Sequence, residues 1–235
     1  MIICKEHRVV FVAIPKTGTR STYGILKKYF KGKLYKEHYD VVPAKYKNYF
    51  KFTTIRNPYA RAVSLWWSTC KRGNDKRGFI KESGGDSLEL FLKFLISNKN
   101  SEKNATFHLL RTQSRYLKAN KYDAILKMES LEEDFWNLKF INPVEKLRII
   151  KERKAENKDV FPRANATFAS TEKIANTQAY RKKINKPKIL YRSNKWEHYM
   201  TPEIIKMINI IYADDFKMLK DYYKKIEPET WQTMN

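Results

Sequence analysis

Apolar residues fall into two short unbroken runs, and each leads into a small polar loop followed by a helical stripe. Residues 9–14 (Val-Val-Phe-Val-Ala-Ile) contain no polar position, which predicts a strand buried on both faces, as at the centre of a parallel sheet. Pro15 closes that run, and Ile25, Leu26 and Tyr29 then mark one face of a helix predicted over Thr19–Phe30. The same cycle returns with a strand over Lys51–Ile55 and a helix over Ala60–Cys70. Between the two units residues 31–50 are polar and irregular, with a short helix predicted near Ala44–Tyr49.

Further on, Asp86-Ser-Leu-Glu89 has the form of a capping box and opens a helix through Ile96, ahead of which Gly73–Gly85 reads as a charged loop. Thr106–Leu117 is predicted helical, Tyr122–Met128 a third strand, and Leu131–Leu138 and Pro143–Lys154 two more helices. Residues 157–195 show no period and read as a long loop region. Thr201 at an N-cap and Pro202 at the first helical position open a last helix over 201–223, striped by Ile204, Ile208, Ile211, Tyr212 and Phe216. Strands alternating with helices predict the α/β class, with a central, mainly parallel sheet flanked by helices in a single P-loop-like domain. At 235 residues one well-buried core is expected, with 9–70 and 107–140 forming its ligand-binding part.

Composition narrows the picture. A hydrophobic fraction of 42% and an aromatic fraction of 14% exclude a disordered chain. The net charge of +23 favours an anionic partner or reflects a lysine-rich solvated surface. Residues 145–195 concentrate it, with 15 Lys/Arg against 5 Asp/Glu. Cys4 and Cys70 are the only cysteines, so neither a disulfide framework nor a Cys/His zinc site is expected. No segment is long and apolar enough to span a bilayer, and no signal peptide is read, so the expectation is a soluble cytoplasmic protein.

Chemistry is concentrated in the two polar loops. The first presents Lys16, Thr17, Gly18, Thr19, Arg20 and Ser21, the second Arg56, Asn57, Arg61 and Ser64, each at a predicted helix start. Unpaired N–H groups and a partial positive charge make such a start an anion site, so two of them predict a ligand with two phosphate-like ends. A Walker A loop would be G-x-x-x-x-G-K-(S/T), whereas here Lys16 precedes Gly18, which speaks against a standard ATPase.

Pro15-Lys-Thr-Gly-Thr-Arg-Ser21 followed by Arg56-Asn-Pro-Tyr-Ala-Arg-Ala-Val-Ser64 resembles the sulfotransferases that use 3′-phosphoadenosine 5′-phosphosulfate (PAPS) and release 3′,5′-bisphosphoadenosine (PAP). In that family P-K-(T/S/A)-G-T-x-S binds the 5′-phosphosulfate and R-(N/D)-P-x-x-R-x-x-S the 3′-phosphate. Tyr49–Pro58, Gln113, Tyr116-Leu117, Tyr122–Leu131, Tyr199–Glu203 and Ile211–Phe216 further resemble its carbohydrate (Golgi-type, heparan and chondroitin) branch, and the late G-x-x-G-x-x-K of the cytosolic branch is absent. The resemblance implies sulfuryl transfer to a carbohydrate hydroxyl without a metal. It implies Lys16 at the leaving phosphate, Lys16–Ser21 around the phosphosulfate, and Arg56 and Ser64 at the 3′-phosphate. By its position Arg163 would touch the cofactor. The base would be His38 or its neighbour Glu37. The Golgi relatives are membrane-anchored, so an anchorless chain points to a bacterial or viral enzyme.

Other residues leave two readings open. Arg61 contacts ligand or pairs with an acid on its own helix. His108, Arg111, Gln113 and Arg115 could line the acceptor cleft, or form an exposed basic face. Trp66 and Trp67 are read as core rather than as sugar platforms, and His7 and His198 as surface or core. An atypical nucleotide or sugar kinase would need Asp123 or Glu129 for magnesium, and a nucleic-acid binder would rest on charge alone, with no recognisable recognition module.

Overall fold

A computed structural model describes residues 1–36, 39–71, 80, 83–98, 111–155 and 196–231. In chain order the elements are β1 (Ile2–Cys4), β2 (Val9–Val12), α1 (Thr19–Tyr29), β3 (Lys33–Leu34), β4 (Phe50–Ile55), α2 (Pro58–Trp66), α3 (Leu88–Ser97), α4 (Gln113–Lys118), β5 (Ala124–Lys127), α5 (Leu131–Trp136), α6 (Pro143–Ala155), α7 (Pro202–Ile211), α8 (Ala213–Met218) and α9 (Pro228–Trp231). The five strands form one sheet in the order β3-β1-β2-β4-β5. β2, β4 and β5 are parallel neighbours, while β1 runs antiparallel to both β2 and β3. Only β1 is therefore reversed, and the mainly parallel α/β sheet expected from the sequence is the one observed.

Both faces of the central strand are covered, which explains its lack of polar positions. Val9 and Phe11 join α1 and α5 through Ile25, Leu26, Phe30 and Phe135. Val10 and Val12 face the opposite layer with Ile55, Tyr116 and Leu117. A third cluster packs α2, α3 and α7 through Tyr59, Trp66, Phe91, Ile205 and Ile208. Each fully buried side chain of this size contributes about 1.5–3 kcal/mol. Trp66 belongs to this core, and its indole N–H donates to the Asp86 carbonyl at 2.9 Å.

Several boundaries differ from the pattern-based ones. β1 and β3, three and two residues long, were too short to show a period. The cap of α3 is Ser87, whose hydroxyl accepts from the Leu90 N–H, rather than Asp86. The C-terminal helix expected over 201–223 is broken at Tyr212 and ends at Met218, although Thr201 caps it as expected. The reading of 157–195 as a loop and most of that of 73–85, with residues 106–110 of the expected helix, lie outside the described residues.

Candidate active site

Three adjacent parallel strands end side by side, and their C-terminal ends deliver residues 13–18, Arg56–Asn57 and Met128–Glu129 to one edge of the sheet. Open α/β sheets hold ligands at that end.

The first loop is shaped by where its carbonyls go. Ile14 O accepts from the Thr17 and Thr19 hydroxyls at 2.9 and 2.8 Å. Pro15 O accepts from Arg61 Nε at 3.1 Å, and Lys16 O from Arg56 Nη1 at 3.3 Å. A trans peptide plane points its N–H opposite to its C=O. Anchoring the Pro15 and Lys16 carbonyls in the protein therefore turns the Lys16 and Thr17 N–H groups the other way. Lys16 takes a left-handed φ of 72°, which costs a non-glycine residue about 1–2 kcal/mol. Such a conformation is how consecutive N–H groups come to line one concavity.

Gly18 follows at φ 87° and caps α1 without any side-chain hydrogen bond, and no acid stands in the first turn of that helix. A Cβ at Gly18 would run into the Met128 sulfur and lie 3.1 Å from Leu131 Cδ2, so glycine is demanded by packing as well as by conformation. The Ser21 hydroxyl is buried at the first turn of α1 and has no hydrogen-bond partner among the described residues. Pinned carbonyls, an uncapped helix start and an orphaned hydroxyl together fit an anion at this loop. Thr17 differs from expectation in one respect. Its hydroxyl, fully buried, is engaged by Ile14 O and by Thr54 Oγ1 at 2.8 Å, leaving its backbone N–H as its only offer to a ligand. Thr19 likewise turns its hydroxyl to Ile14 O, and Arg20 is exposed.

The second loop is built differently. Asn57 caps α2 with its own side chain, accepting from the Tyr59 and Ala60 N–H groups. That helix start is thus already satisfied, and an anion here would be held by side chains. Arg56 is half-buried beside the Lys16 carbonyl, and Ser64 is buried on α2. Burial pulls the Arg56 pKa below its ordinary value; Glu129 and Tyr223 oppose that shift and Arg61 adds to it. Glu129 holds the other side of the loop, accepting from Asn57 N–H at 3.1 Å and from the Tyr223 hydroxyl at 2.6 Å. Burial, then the charge of Glu129, pushes the Tyr223 phenol well above its usual range, so it donates at every ordinary pH.

Other expected residues take different places. Gln113 is fully buried, and its amide clamps the Arg56 backbone, accepting from the N–H at 2.9 Å and donating to the C=O at 2.8 Å. Its own N–H and that of Ser114 are capped by Asp215 at 3.0 and 2.7 Å. Arg111 and Arg115, for which the sequence leaves both an acceptor cleft and an exposed basic face open, each reach Asp40, at 3.6 and 2.9 Å. Burial disfavours the Asp40 charge, but the Arg115 hydrogen bond and the two arginine charges outweigh it and hold the carboxyl below its usual pKa. Arg61 has no acid on its helix, whose sequence is Pro-Tyr-Ala-Arg-Ala-Val-Ser-Leu-Trp. His7 packs edge-on against Phe30, and His198 is exposed. Glu37, His38, His108 and Arg163 lie outside the described residues.

The pairing of Asp40 with two arginines, and the acceptance of backbone N–H groups by Glu129 and Asp215, escaped the sequence reading, because partners that far apart along the chain leave no local pattern. The sulfotransferase family model matches residues 1–224. No curated protein and no solved structure matches the chain.

Proposed function

The chain belongs to the sulfotransferase family, and from that premise we propose that it moves a sulfuryl group from PAPS to a hydroxyl of a carbohydrate acceptor, as the carbohydrate branch does. The observation that carries this reading is the continuity of the two loops. Arg56, the first residue of the second motif, grips the Lys16 carbonyl of the first, so both candidate anion sites share one end of the sheet.

In this reading the backbone of residues 16–19, the Ser21 hydroxyl and the Lys16 ammonium hold the 5′ end of the donor. Arg56 and Ser64 hold the 3′-phosphate that separates PAPS from ordinary adenine nucleotides, and Arg163 adds a further contact. When bound, the donor supplies an S–O bond whose cleavage leaves negative charge on the 5′-phosphate. In this reading Lys16 and the N–H groups beside it meet that charge, and such fixed donors supply much of the acceleration in group transfer. His38, with Glu37 as the other candidate, takes the acceptor proton.

A kinase is the competing reading. Its two candidate metal-binding acids are already engaged: Asp123 accepts from the Lys51 N–H at 2.7 Å, and Glu129 from Asn57 and Tyr223.

Thermal unfolding with PAP, ADP or ATP tests the proposal. PAP at a hundred times its Kd should stabilise the protein by about 2.7 kcal/mol, a rise of roughly 5–10 °C for a chain of this size, with little effect of ADP or ATP. Stabilisation by ATP and magnesium without any by PAP would overturn it.

A further inference from the structure

Arg61 is a completely buried charge with no carboxylate partner among the described residues. Removing a guanidinium from water costs several kcal/mol unless its surroundings compensate. Here they are two carbonyls and a ring: Nε donates to Pro15 O at 3.1 Å, Nη2 to Arg111 O at 2.7 Å, and the guanidinium carbon lies 5.6 Å from the Tyr212 ring centre. Nη1 is buried without a hydrogen-bond partner among the described residues. A side chain serving packing alone would not need a charge in this position.

We propose that Arg61 is a positioning residue for the 5′ end of the donor, an inference that rests on the PAPS reading. Its Nε turns the Pro15 carbonyl into the protein and thereby turns the Lys16 N–H out toward the ligand. Arg56 does the same one peptide later, through the Lys16 carbonyl. The pair keeps two successive peptide planes facing one way, across a left-handed residue that would otherwise relax. The second prong of the Arg61 fork reaches Arg111, whose side chain meets Asp40. Arg61 thus fastens the donor loop to the entrance of α4 and to the segment beyond residue 38. Lysine cannot reproduce this, because a single ammonium does not hold two carbonyls in a planar fork.

The test compares PAP with adenosine 3′-monophosphate by calorimetric titration, because the two ligands differ only in the phosphate that the loop would hold. The unaltered protein should bind PAP more tightly. In Arg61→Met, PAP should weaken tenfold or more while the 3′-monophosphate stays within twofold. Arg61→Lys fills the same space and guards against failure of the methionine variant to fold; it should weaken PAP threefold or more, again without affecting the 3′-monophosphate. Equal weakening of both ligands would reduce Arg61 to a fold-stabilising residue and overturn the proposal, and so would an unchanged ratio in Arg61→Lys. No preference for PAP in the unaltered protein would instead overturn the donor reading itself, and it would be seen before any variant is made.

Discussion

Replacing Gln113 with leucine separates the two roles this residue could have. The amide makes two hydrogen bonds to the Arg56 backbone, at 2.9 and 2.8 Å, in a place with no solvent exposure. Leucine has similar bulk but leaves the Arg56 N–H and C=O without partners. Each orphaned group costs about 1–3 kcal/mol, and the added apolar burial offsets about 1 kcal/mol. A net loss of about 3 kcal/mol corresponds to a melting point lower by roughly 6–12 °C for a domain of this size. The cap on α4 uses the Gln113 backbone N–H and is unaffected, so the loss is local to the Arg56 loop. Calorimetric melting gives the stability change, and titration with PAP should show weaker binding because Arg56 is no longer held. A melting point within about 2 °C of wild type, together with a raised acceptor KM, would refute the reasoning and return Gln113 to the acceptor cleft.

Lys16→Ala should lower kcat by about 10²–10³, as for removal of a donor aimed at developing charge; near-normal turnover in a kinetic assay would exclude that role. His38→Ala should lose turnover while keeping its PAP affinity, and the same measurements on Glu37→Gln decide which neighbour is the base. A collapse of PAP affinity in His38→Ala would make that residue structural. Asp40→Asn tests the pairing with Arg111 and Arg115. Because the folded carboxyl titrates below its ordinary value, its stabilisation is present at neutral pH and disappears as pH falls through the folded pKa. The melting-point gap between wild type and variant should therefore close below about pH 4, and a gap that widens in acid would contradict the assignment.

Much of the fold was legible because its signals are local. A run of apolar residues buried on both faces, a proline that ends it, and a glycine where the chain turns left-handed before a helix are all written within about ten residues. So is the order of the two loop motifs, which carried the family reading. β1 and β3 were not legible, since their pairing depends on a sheet edge supplied by β2 rather than on their own composition.

The local sequence determined that two polar loops stand ahead of helices and which residue types they offer. Tertiary structure decided which of those groups are turned into the protein. Thr17 turns its hydroxyl inward to Thr54, 37 residues away, and Arg61 reaches Pro15 across 46. Gln113 clamps Arg56 across 57 residues, and Asp215 caps α4 across 102. Each of these contacts satisfies a buried polar group with a distant one. The periodicity of a strand or helix records only which face is buried, so it holds no trace of them.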